Sequence, residues 1–245
     1  MSASSSGKPL RVARSRSVRR LGMVVAATGK RVTGQPRKAL FLAQEVIRKQ
    51  RELGDRQALG VTLSIAADVV RQGGDLQQAE AMAREALGIF AVTGSRKHDA
   101  NARLCLGEIA QRTGRLDEAE AQYRAAHDLY LTIGAPAGAS DAINQLAELA
   151  RKRGRFAEAE AGYVRSLEIC EQHHLGHVAI PRANLGLTLL AQERWDEARE
   201  VLHASLKVFE QQERIGWIGA ISASLLPCTI HDTAAFSRLL DRASQ

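Results

Sequence analysis

The chain has 245 residues, 45% of them hydrophobic and 25% charged, which is enough apolar material for a sizeable core. Aromatic residues at 4% and only five prolines favour helices packed through Ala and Leu over a sheet rich in β-branched and aromatic side chains. No apolar run approaches the ~20 residues that cross a bilayer, and the scattered Cys105, Cys170 and Cys228 make neither a disulfide framework nor a CxxC metal knuckle, so a reducing, cytoplasmic setting is expected.

The formal charge of +7 is a local property. Residues 1–38 hold ten Lys or Arg and no acid, which leaves 24 basic against 27 acidic residues and a net charge of −3 for the rest. The opening "MSASSSGKPLRVARSRSVRR" is rich in Ser and Arg and shows no apolar period, so residues 1–15 read as a disordered basic tail. Arg19-Arg20 before "LGMVVAA" has the look of a twin-arginine signal, but the apolar run is short and Lys30-Arg31 follows soon after. A phosphate loop in "GMVVAATGK" fails on spacing, because six residues separate Gly22 from Gly29 and Arg31 stands where Ser or Thr should follow Lys30. The segment fits better as the first helix of a repeat.

From there a ladder of glycines sets the organisation. Gly34, Gly54, Gly74, Gly94, Gly114, Gly134 and Gly154 fall at intervals of twenty residues, each able to close a helix in the left-handed conformation. Two helices and two turns make a unit of forty. "GDLQQAEAMAREAL", "GRLDEAEAQYRAAH" and "GRFAEAEAGYVRSL" share one register, with a weaker copy in "ERWDEAREVLHASL". Large apolar residues (Leu76, Leu116, Phe156, Trp195) precede small ones by three (Ala79, Ala119, Ala159, Ala198) and others by seven (Ala83, Tyr123, Tyr163, Leu202), all on one helical stripe. The alanine lets a neighbouring helix approach closely. Repeats are expected near 16–55, 56–95, 96–135, 136–175 and 176–213, with a closing element at 214–245. In that element "RIGWIGAISASLLPCTI" is expected to end as a helix at Pro227, and "DTAAFSRLLDRA" to add a short amphipathic helix capped by Asp232. An apolar face left exposed there would serve as a homodimer surface.

Together, the Leu-Gly pairs (Leu106-Gly107, Leu185-Gly186), the turn glycines and the bulky-Ala-Tyr stripe resemble the tetratricopeptide repeat over roughly residues 16–245, with a period of forty in place of thirty-four and without the tryptophan of the first helix. The resemblance implies an all-α, right-handed superhelical solenoid of about five helix-turn-helix repeats plus a short closing helix pair. It also implies that the first helix of each pair lines a concave groove. The "LLPC" ending resembles repeat arrays at the C-terminus of multidomain bacterial Ser/Thr kinases and signalling ATPases, although no HRD or DFG motif occurs in the chain.

Little in the sequence points to catalysis or a cofactor. "CEQHHLGH" brings Cys170, His173, His174 and His177 together, yet His174 takes the slot of a turn glycine, so the stretch reads as a polar inter-repeat loop and no metal is expected. His127 and His203 lack a nucleophile and carboxylate placed beside them by the sequence. The groove is the candidate site. Asp68, Glu108 and Glu148 recur at one position of successive first helices; Arg71, Arg112, Arg151 and Lys152 follow one turn later, and Asn144 stands one turn before the last acid. Local ion pairing explains the stripe, and so does registration of a peptide or partner helix; both can hold. The expected function is a non-catalytic scaffold for a protein or peptide partner, in bacterial signalling. The alternatives are a basic-tailed adaptor for nucleic acid or a membrane surface, and a regulatory fragment of a larger kinase or ATPase. Nucleic acid is the less favoured partner because no aromatic interleaves the basic tail.

Overall fold

The computed structural model describes residues 36–231, all of whose regular elements are α-helices: α1 (Pro36–Leu53), α2 (Arg56–Gln72), α3 (Leu76–Thr93), α4 (Arg96–Arg112), α5 (Leu116–Thr132), α6 (Pro136–Lys152), α7 (Phe156–Gln172), α8 (Ala179–Ala191), α9 (Trp195–Gln211) and α10 (Ile215–His231). The basic tail, the first helix expected upstream of Gly34, the twin-arginine and phosphate-loop stretches and the closing helix from Asp232 lie outside the described residues. The chain forms two compact units, Met1–Ile133 and Gly134–Gln245. In the first, α2 pairs with α3 and α4 with α5; in the second, α6 pairs with α7 and α8 with α9. Each such pair is an antiparallel hairpin that also touches a neighbouring helix of its unit, the nearest-neighbour arrangement a stacked array requires.

The helices end where the glycine ladder says. Gly114 has φ +79°, and the turn closes with the Arg115 N–H donating to the Ala110 carbonyl at 2.8 Å. Beyond Gly154 the ladder changes its letters and keeps its geometry: His174, Glu193 and Glu213 hold the same left-handed slot at φ +50°, +59° and +53°. The Leu175, Arg194 and Arg214 N–H groups close their turns as Arg115 does, at 2.8, 3.0 and 3.0 Å. A side chain in this conformation costs about 1–2 kcal/mol.

The alanine stripe is buried in each unit: Ala79, Ala119, Ala159 and Ala198 are fully enclosed, as are Tyr123, Tyr163 and Leu202. Within a hairpin the bulky residue of the second helix meets a small residue of the first. Tyr123 lies against Gly107 and Leu202 against Gly186, while Tyr163 shares a buried cluster with Ala147.

Second helices begin in two ways. Asp75 caps α3 by accepting from the Gln78 N–H at 2.9 Å. In "GRL" and "ERW" the cap position holds Arg115 or Arg194, which make no local cap bond. Arg115 instead reaches Glu80 of the preceding second helix at 2.6 Å, and Arg194 reaches Glu160 at 2.7 Å.

One expectation changes, and one irregularity is added. Pro227 does not end its helix, and α10 runs on to His231. The proline removes the donor that would reach the Ala223 carbonyl, but Ala223 and Pro227 are both exposed, so water can serve that carbonyl. At the "HHLGH" loop the periodicity is interrupted: α8 starts at Ala179 and has 13 residues where the other first helices have 17, its opening turn replaced by irregular turns over 173–178.

Candidate functional site

In the first unit, α2 and α4 bring their charged residues together. Arg71 pairs with Asp68 one turn before it and with Glu108 of α4 at 2.8 Å, and the Arg112 guanidinium donates to the Arg71 carbonyl at 2.9 Å. Arg71 is largely covered while Asp68 is half exposed. Burial disfavours the Arg71 charge, but Glu108 and Asp68 outweigh it and raise the guanidinium's pKa above its ordinary value. The cation is thereby fixed between two successive first helices.

In the second unit, Arg151 makes a two-point bond to Glu148, at 2.9 and 2.8 Å, and Lys152 approaches the same carboxylate at 3.9 Å. The buried Tyr163 of α7 donates its hydroxyl to Glu148 at 2.9 Å, and burial followed by that carboxylate pushes the phenol's pKa up. Asn144 accepts from the Asn184 side-chain amide of α8 at 3.1 Å, so residues forty apart meet across two first helices. Nearby, His177 in the irregular turn lies 3.4 Å from Asp141 of α6. Burial raises the pKa of that carboxyl, and His177 opposes the rise.

All eight residues expected at the groove thus sit on first helices, and each joins a bond within its own unit. Sequence reasoning missed Tyr163 and Asn184 as partners. Asn184 carried a signal, its spacing of forty from Asn144. Tyr163 was assigned to packing alone, although a buried hydroxyl needs an acceptor.

The cysteine–histidine stretch is dispersed. Cys170 is buried with its sulfur 3.1 Å from the Ser140 hydroxyl, whereas His173 and His174 are exposed. Among the described residues no group of three His, Cys, Asp or Glu side chains is placed to hold a metal ion. Cys105 is covered beside Arg71, and burial pushes its thiol up to about 12. No helix among the described residues is long and apolar enough to cross a membrane. On α10, where a dimer surface is expected, Ile215 and Leu226 are exposed.

The tetratricopeptide repeat family model matches residues 98–172 and 138–211. That stretch of the chain belongs to the tetratricopeptide repeat family, and the hairpin of α2 and α3 before it repeats the same pattern in the same register. The fold is typically a non-catalytic one. No curated protein matches the chain by sequence. Solved structures share the fold. RapI in its apo form is similar over 93% of this chain and 81% of its own, with a TM-score of 0.76 at 10% identity. BtubC from P. vanneervenii is similar over 86% of this chain and 93% of its own, with a TM-score of 0.65 at 19% identity. A signal transduction ATPase with numerous domains and a tetratricopeptide repeat sensor, from Pyrococcus horikoshii, is similar over 91% of this chain and 37% of its own, with a TM-score of 0.65 at 12% identity.

Proposed function

We propose that the protein is a cytoplasmic, non-catalytic scaffold that binds a peptide or a segment of a partner protein along the faces of its first helices, within a bacterial signalling system. The observation that carries this reading is the cross-helix register of polar side chains: Arg71 with Glu108 in one unit and Asn144 with Asn184 in the other. Side chains fixed in this way lose little freedom when a ligand arrives, so the partner alone bears the ordering cost. The partly exposed Asn184 amide retains donor and acceptor capacity beyond its bond to the buried Asn144, enough to engage an extended backbone. Similarity to a sensor-bearing signal transduction ATPase, and to a Rap protein solved in complex with competence and sporulation factor, supports the signalling context. The three free cysteines agree with a reducing compartment.

The test is partner recovery by the intact protein against the Glu108→Gln/Glu148→Gln and Asn144→Ala/Asn184→Ala variants, each checked for unchanged helicity. Recovery at least tenfold lower in either variant supports the reading. Equal recovery by both folded variants rejects the first-helix faces as the binding surface.

A further inference from the structure

Departures from the repeat pattern collect at one end of the described chain. Up to α7 the left-handed turn slots belong to glycine; the three after it belong to His174, Glu193 and Glu213. The first helix that follows, α8, has lost its opening turn. In α6 and α7 the buried Ser140 and Ser166 satisfy each other, their hydroxyl oxygens 2.9 Å apart. Thirty-nine residues on, the same positions hold Ala179 and Ser205, and the fully buried Ser205 hydroxyl has no partner. In α10 a proline stands inside the helix.

We propose that residues 175–231 form a strained segment that opens cooperatively by itself while α6 and α7 stay folded, an order–disorder element built into the end of the array. The energetics of stacked repeats support it: each hairpin is held by its own stability and by the contact with its neighbour, so local penalties are not shared with distant repeats. His174 and Glu213 strain the turns at the two interfaces, α7 with α8 and α9 with α10, while Glu193, the shortened α8 and the orphaned Ser205 hydroxyl lie within the hairpin between them. The α8–α9 hairpin depends on both. Segments with such penalties exchange their amides through openings shallower than global unfolding.

The experiment is hydrogen exchange by mass spectrometry on the full chain, at several guanidinium concentrations below the unfolding midpoint. Amides of α8 and α9 should exchange at least tenfold faster than those of α6 and α7, and together. The variant His174→Gly/Glu193→Gly/Glu213→Gly should slow them by roughly two- to fivefold per substitution, leaving α6 and α7 unchanged. Equal protection of the two hairpins overturns the proposal. So does a triple variant that leaves α8 and α9 as fast as before, since the opening would then reflect position at the end of the chain and not strain. Thiol labelling gives a second readout: Cys228 of α10 should react before Cys170 of α7 in the wild type, and labelling of both at one rate overturns the proposal as well.

Discussion

A Cβ built on Gly107 would stand 2.6 Å from Cδ1 of Tyr123 and nearer still to Cε1, closer than carbon atoms approach, so the glycine is what admits the tyrosine ring between α4 and α5. Gly107→Ala gains up to about 1 kcal/mol of helix propensity but forces a fully enclosed ring to move, which costs about 1–3 kcal/mol. The expected net change is destabilisation by roughly 1–2 kcal/mol in chemical unfolding. An unchanged midpoint would mean that the ring has room to yield.

The Tyr163 hydroxyl probes the equivalent position in the second unit, this time in polar terms. Tyr163→Phe removes the donor to Glu148 while Arg151 still holds the carboxylate, so the loss should be modest, about 1 kcal/mol. Glu148→Ala strands a buried phenol and should cost more, about 1–3 kcal/mol. Equal effects of the two substitutions would contradict the bond.

For Ser205 the expected sign is reversed. Its hydroxyl is enclosed without a partner, so Ser205→Ala should stabilise the chain by about 1 kcal/mol, whereas Ser166→Ala, which removes the bonds its hydroxyl makes to the Ser140 hydroxyl and carbonyl, should destabilise it by a similar amount. Thermal unfolding of the two variants side by side separates the outcomes, and destabilisation by both would show that Ser205 is satisfied.

Acid should weaken the link between second helices in the first unit. The hydrogen bond from Arg115, reinforced by Arg84 against partial burial, holds the Glu80 carboxyl at about 2, below the ordinary range of ~4.3 for a carboxylate in an unfolded chain. A group depressed in this way contributes its full stabilisation above the unfolded value and loses it as the pH falls toward 2. Glu80→Gln should therefore flatten the decline in Tm between about pH 4.5 and 2. A wild-type and variant difference that stays constant across that window would dismiss the pairing.

Cys105 should resist alkylation at pH 8 in the folded chain, because burial keeps the thiol protonated up to about 12, and should react at once in denaturant. Rapid labelling of the native protein at that residue would refute the burial argument.

Much of this was legible in the letters. The glycine ladder marked the turns, and the alanine stripe marked the buried face, because both are local demands on single residues. His174 was readable as a turn residue mainly by counting, since a histidine tolerates a left-handed slot better than most side chains but does not mark one as glycine does. Pro227 misled for the opposite reason: a proline removes the donor to the carbonyl four residues back and crowds it, and at the exposed Ala223 water can take that donor's place. The acidic and basic stripe was visible, but its pairing was not. Whether Arg71 serves Asp68 or Glu108 depends on the distance between two helices, which no one-dimensional spacing contains. Nor does the sequence single out Arg115, whose partner Glu80 lies 35 residues upstream on the preceding second helix.

That arginine has one more consequence. Where Asp75 satisfies its helix locally, Arg115 and Arg194 tie theirs to a carboxylate 35 and 34 residues upstream. Excising residues 96–135 would set Arg155 at the former distance from Glu80, so a gene that gains or drops whole forties inherits a ready-made clasp at the new junction. Such a chain can grow or shrink by unequal recombination without inventing a fresh joint.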